Sequence, residues 1–355
     1  MSLCCPFNLL ALAQRSGSIL FMRTTISQVA ISLVLILSWK SLPILGSFLN
    51  KNLVYIKIPK TAGSTTSGCI RRIAAHNGLA GVHNESWIVN EPGVSANHHS
   101  YRRLIFGIEA LRKPAFIFTM VRDPLSRCLS EFYHFEFAKR RAVNSAANKI
   151  KALEGCRDAA FHYLAPRGSV SIVDLIPIYD LIGVTELFDE SIVLLAHRLA
   201  VPVTDVLYLN ASKASAAHVP LSMEPPEVVA FAASEEFKDA NKMDYLLHEL
   251  SMFRIQQAYG SAGANIDQIR AMNVTQSEEE IRSLSTELAR FRQMRRAAQN
   301  ACHPSGTSKH HREGATGESR VAHWPGDHRC YWADHGCGYQ CLDRAARDGL
   351  FLRKL

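Results

Sequence analysis

Stretches of unbroken apolar residues alternate along this chain with stretches whose apolar positions recur every three or four residues. Residues 53–58 (LVYIKI) are β-branched and aromatic and predict a buried strand. The segment PKTAGSTT predicts a loop after it, and residues 67–76 a helix. Residues 78–100 are rich in Gly, Asn and His and predict a loop. A second apolar run, 115–121 (AFIFTMV), stops at Arg122-Asp123-Pro124. Leu125, Cys128, Leu129 and Phe132 then form a helical stripe within residues 125–139. Residues 179–184 (YDLIGV) predict a third strand, 189–199 a helix and 206–209 a short strand. From 235 to 299 the periodicity is helical. Strands alternating with helices define an α/β fold with a mainly parallel central sheet.

Two ends stand apart from this body. Residues 24–39 (TTISQVAISLVLILSW) carry no charge, and 41–49 (SLPILGSFL) extend the apolar stretch beyond Lys40. The uncharged run is shorter than the roughly 20 residues of a bilayer core, but Lys40 can snorkel. A membrane anchor, a cleaved signal peptide and a buried core helix all fit it. Arg15 and Arg23 before it balance Lys40 and Lys51 after it, so flanking charge gives no orientation. At the other end Cys302, Cys330, Cys337 and Cys341 crowd together. Their spacing lacks a CxxC pair, which favours disulfides over zinc, and three pairings are open. Asn84, Asn210 and Asn273 each begin an N-x-[ST] acceptor sequence.

With 355 residues, 47% of them hydrophobic, the chain has ample material for a core and is not of disordered composition. Its 40 Lys and Arg against 32 Asp and Glu give a net charge of +8, which admits anionic partners without choosing among them.

The sharpest chemistry lies in IPKTAGSTT (58–66), between a strand and a helix. Such a turn aims backbone N–H groups and the positive end of the helix dipole at one point, which suits an anion. Gly63 permits close approach, Ser64, Thr65 and Thr66 add hydroxyls, and Lys60 adds charge. The loop is not a Walker A motif, because Lys60 precedes Gly63. In VRDPLSRCLSEFYHF (121–135), Arg122 ends a strand, where open α/β sheets place ligand-binding residues. Ser130 lies two turns into the next helix, and Arg plus hydroxyl suits a phosphate monoester.

Together, IPKTAGSTT and VRDPLSRCLSEFYHF resemble the two cofactor signatures of the sulfotransferase superfamily, and most closely those of Golgi carbohydrate sulfotransferases of the heparan sulfate 2-O and galactose 3-O groups. The likeness extends to GVTELFD (183–189) and NKMDY (241–245) and covers roughly residues 52–260. It implies a P-loop-like central parallel sheet flanked by helices, with an N-terminal hydrophobic anchor and a Cys-rich C-terminal segment. The implied organisation is a cytoplasmic tail at 1–23, a signal-anchor at 24–49, the sulfotransferase domain at 50–300 and a Cys-rich extension at 301–355. The implied co-substrate is 3′-phosphoadenosine-5′-phosphosulfate (PAPS), with no metal. Lys60 would contact the oxygen bridging phosphate and sulfate. Thr61, Ala62, Gly63, Ser64, Thr65 and Thr66 would form the 5′-phosphate loop, and Arg122 and Ser130 would hold the 3′-phosphate. In NHHSY (97–101), His98 is the first candidate for the base and His99 the second; Ala96 stands where one heparan-type group has a further His. The implied acceptor is a polysaccharide, glycoprotein or glycolipid, the location the Golgi membrane with a lumenal catalytic domain, and nucleic acid is not an expected partner. A small-molecule P-loop kinase, with Asp123 on magnesium, and a non-catalytic glycan-binding relative are the alternatives.

Overall fold

The computed structural model describes residues 52–79, 94–98, 100–101, 114–169, 171–209, 219–260, 278–302 and 339–349. The anchor and tail expected at 1–49, His99, Asn84, Asn210, Asn273, Cys330 and Cys337 all lie outside the described residues. Among the described residues no helix is long and apolar enough to cross a membrane.

Among the described residues four parallel strands form one sheet in the order β2-β1-β3-β4, with β1 at Asn52–Ile56, β2 at Val94–Asn97, β3 at Ala115–Val121 and β4 at Leu181–Val184. Every residue of β1 is buried, as a central strand covered on both faces requires. Its register aligns Ile56 with Asn97 of β2 on one side and with Thr119 of β3 on the other. The strand β2 falls inside the segment expected to be loop. Its sequence, VSAN, carries no apolar run, so its pairing with β1 rather than its own composition makes it a strand.

Helix α1 (Gly63–His76) follows β1 and begins four residues earlier than the periodicity predicts. The hydroxyl-rich stretch itself forms its first turn. Helix α2 (Pro124–Glu131) follows β3. Asp123 caps it by accepting the Ser126 amide at 2.8 Å, and Pro124 occupies the first turn, where its missing N–H costs nothing. The expected helical stripe then changes pitch, and Phe132–Lys139 is a π-helix. Such widened turns are rare and cluster near functional sites. Tyr133 anchors this turn by donating to the fully buried Glu224 at 2.6 Å, and Lys149 of α3 (Ala146–Glu154) meets the other Glu224 oxygen at 2.5 Å.

Strand β4 leads to α4 (Phe188–Leu199). A Cβ on Gly183 would lie 2.5 Å from Met120 Sδ and 2.9 Å from Ser191 Cβ, so only glycine lets β4 sit this close to β3 and α4. Residues 206–209 are not the expected strand. A 3₁₀ turn spans Val203–Val206, and the carbonyls of Val206 and Leu207 accept from Cys69 and Arg72 of α1 instead of from a strand neighbour.

The long helices α5 (Lys242–Ala258) and α6 (Glu278–Cys302) bear out the helical periodicity over their own spans, and residues 261–277 of that stretch lie outside the described residues. Asp244 of α5 accepts the amides of Ala160 and Phe161, at 3.0 and 2.7 Å, so the NKMDY segment caps the short helix Ala159–Leu164. Helix α7 (Tyr339–Arg347) is tied to α6 by a Cys302–Cys341 disulfide, which resolves one of the open pairings. It docks on α1 through Asp343, which lies 2.7 Å from buried Arg72. A second disulfide joins Cys128 to Cys156, and the sequence hides it because Cys128 also satisfies the apolar stripe of α2. It sits in a cluster with Leu125, Leu129, Leu153, Val228 and Phe237 that holds α2 in place.

Candidate functional site

The carboxyl ends of all four strands open on one edge of the sheet, because the strands are parallel. The chain leaves β1 and β3 toward opposite sides of the sheet, and the crevice at such a switch point is where open α/β sheets bind ligands. The register brings Lys57, the residue after β1, beside His98, the residue after β2. Arg122 follows β3 and Thr185-Glu186 follow β4.

The loop from Lys57 to Gly63 is held in a strained shape. Lys60 and Ala62 both adopt left-handed backbone, with φ of 68° and 58°, although neither is glycine. The one glycine is placed for space instead. A Cβ at Gly63 would lie 2.7–2.8 Å from Cε and Cγ of Lys57, whose buried stem crosses the start of α1. Thr61 donates its hydroxyl to Ile58 O at 3.0 Å and Thr66 to Ala62 O at 3.1 Å, and both are fully buried. These two hydroxyls shape the loop. Ser64 and Thr65 are half-buried at its mouth. The first turn of α1 has no side-chain cap and no acidic residue, so its amides and dipole face the crevice unopposed by carboxylate of their own helix.

Cations converge here. Arg122 Nη1 donates to Lys60 O at 3.3 Å, which joins the β3 turn to the β1 loop. Lys60 is largely buried, and burial pushes its pKa down to about 8; Arg122 and then Lys139 of the π-helix push the same way, with Glu131 opposing. Burial also lowers the Arg122 pKa, against the pull of Glu186 and Asp123. A buried lysine beside Arg122 and Lys139, next to a helix start with no acidic residue in its first turn, suits an anion supplied from outside. Ser130 is half-buried in the last turn of α2.

His98 is exposed, and its Nδ1 lies 2.9 Å from Lys57 O. A carbonyl only accepts, so Nδ1 carries the hydrogen. In the neutral ring the lone pair is then on Nε2.

On the β4 side, Thr185 donates its hydroxyl to Val121 O at 2.9 Å. Glu186 Oε1 accepts the Asp123 amide at 3.1 Å, and its Oε2 lies 3.2 Å from His248 Nε2 of α5. Burial opposes ionisation of Glu186, but the hydrogen bonds from His248 and the Asp123 amide prevail and its pKa falls below the ordinary value. The structure thus brings Lys60, Gly63, Arg122 and His98 to one edge. Lys139, one of the basic residues that flank the crevice in the sequence reading, joins them, as do Lys57 and His248, which the sequence does not single out. No local motif marks His248, which arrives from a helix more than a hundred residues downstream of Arg122.

Among the described residues no group of three or more His, Cys, Asp or Glu side chains is placed to hold a metal. A model of the sulfotransferase family matches residues 49–164. The match covers about a third of the chain, from the start of β1 through the short helix after α3, and includes the Lys60 loop, His98 and the Arg122 turn. It supports the sulfotransferase superfamily for this part of the chain. No curated protein matches the chain.

Proposed function

We propose that the protein is a carbohydrate sulfotransferase that moves a sulfuryl group from PAPS to a sugar hydroxyl. The observation that carries this reading is the convergence, at the ends of adjacent parallel strands, of a largely buried lysine, a strand-terminal arginine and an oriented histidine. The matched family supports the transfer class; the glycan acceptor rests on the resemblance of the two motifs to Golgi enzymes. The same resemblance makes the proposed setting the Golgi membrane, with residues 24–49 as anchor and the body lumenal.

The residues fit the co-substrate as follows. The amides at the start of α1, with Ser64 and Thr65, would hold the 5′-phosphate, while Thr61 and Thr66 keep the loop in shape. Arg122 and Ser130 would hold the 3′-phosphate. During transfer the acceptor oxygen forms a bond to sulfur as the bond from sulfur to the bridging oxygen breaks. Lys60 stabilises the negative charge that collects on the bridging oxygen, in a partly buried site where such stabilisation is strong. His98 takes the hydroxyl proton on Nε2, because Lys57 O fixes the hydrogen on Nδ1.

The kinase alternative requires the Asp123 carboxylate for magnesium, but that side chain caps α2. Thermal stability separates the two readings. Adenosine 3′,5′-bisphosphate, the desulfonated product, is expected to raise the melting temperature, and ATP with magnesium is not. The reverse pattern would assign the site to a kinase.

A further inference from the structure

Arg122 is the residue on which selectivity for a 3′-phosphate would depend, and its position is fixed by two consecutive residues that no phosphate would touch. Thr185 holds the peptide on one side of Arg122 through Val121 O, and Glu186 holds the peptide on the other side through the Asp123 amide. Both come from the end of β4, whose register with β3 pairs Val121 with Val184 and so carries Thr185 directly to Arg122. The second Glu186 oxygen is held by His248 of α5, so the carboxylate cannot swing away without losing two partners. The guanidinium is held separately, by Lys60 O.

We infer that Thr185 and Glu186 form a bracket that presets Arg122 for the 3′-phosphate, with Glu186 as the dominant positioning residue and His248 as its support. This rests on the nucleotide reading given above. The argument is one of sign. As a charge, Glu186 opposes phosphate binding, because it attracts Arg122 itself. As a hydrogen-bond acceptor it favours binding, because it fixes the turn that presents Arg122. The two roles predict different results when the charge alone is removed and opposite results when charge and acceptor are removed together.

The test is calorimetric titration of adenosine 3′,5′-bisphosphate and adenosine 5′-phosphate into the wild type, Glu186→Ala and Glu186→Gln. The bracket predicts that Glu186→Ala weakens the bisphosphate by roughly tenfold, the worth of one charge-assisted hydrogen bond, and leaves the 5′-phosphate unchanged. Glu186→Gln keeps an acceptor for the Asp123 amide and is expected to stay within about threefold of wild type. Thr185→Val, which keeps shape and removes the hydroxyl, is expected to show a smaller loss with the same selectivity and serves if Glu186→Ala does not fold. Tighter bisphosphate binding in both Glu186 variants would overturn the bracket and leave only a competing charge. Equal losses for both nucleotides would overturn it as well. A wild type that binds neither nucleotide overturns the sulfotransferase reading, and the bracket with it.

Discussion

Replacing Lys60 by Met removes the amine and keeps most of the apolar stem. The folded protein holds the Lys60 pKa at about 8 against an ordinary 10.5, chiefly by burial and then by Arg122 and Lys139. That drop corresponds to about 3 kcal/mol against the charged amine at neutral pH. Lys60 is partly open to solvent, so this figure is a ceiling. Between pH 8 and 10.5 the unfolded chain binds more protons at this site than the folded one, so the Lys60 contribution to stability rises with pH across that window. Below pH 8 the full penalty applies. Lys60→Met is therefore expected to be more stable than wild type at pH 7, by about 1–3 kcal/mol, or roughly 2–6 °C in melting temperature for a chain of this size. The advantage should shrink by more than half at pH 9.5, where most wild-type amines are neutral. Sulfuryl transfer should fall about 10²–10³-fold, the usual cost of removing a group that stabilises transition-state charge. Calorimetric melting at the two pH values, with turnover measured alongside, makes the check. A variant less stable than wild type at pH 7, or one whose advantage does not change with pH, would show that the ammonium is already satisfied in the unliganded protein and would refute the reasoning.

Three further outcomes follow from the packing. Gly63→Ala drives a methyl into the Lys57 stem and is expected to lower stability by about 1–3 kcal/mol and to weaken nucleotide binding, readable by urea unfolding and titration. Lys149→Met leaves Glu224 buried and charged without its cationic partner, so stability is expected to fall by about 3–5 kcal/mol, and Lys149→Met with Glu224→Leu to recover most of it. Replacing both Cys302 and Cys341 by Ser opens a loop of 39 residues and is expected to cost about 2–4 kcal/mol, with α7 leaving α1 before the sheet unfolds in hydrogen exchange.

Much of the site was legible because its residues follow strands whose apolar runs are unambiguous. β1 and β3 announce themselves by LVYI and AFIFTMV, so Lys60 and Arg122 fall at strand ends in the sequence as in the structure. His98 was harder. The strand that carries it, VSAN, is polar enough to read as loop, and only its pairing with β1 sets His98 beside Lys57. The π-helix is invisible to periodicity, because Phe132, Phe135 and Phe137 satisfy a helical stripe and a widened turn equally well. The tie between Glu186 and His248 depends on how α5 folds back over β4, which no local pattern encodes. Cys128 shows a third kind of ambiguity: a half-cystine and a small apolar residue occupy the same face of α2.

The central claim is that these strand ends catalyse sulfuryl transfer to a sugar. The most direct test incubates the purified protein with PAPS carrying a radiolabelled sulfuryl group and a panel of desulfated polysaccharides and galactosides, beside Lys60→Met and His98→Ala. The account predicts labelled glycan from the wild type. It predicts a loss of about 10²–10⁴-fold in His98→Ala, with an alkaline-rising limb in the wild-type pH profile that disappears in this variant as the imidazole base is removed. Nucleotide binding without labelled product from any acceptor, or labelled product that persists undiminished in both variants, would contradict it.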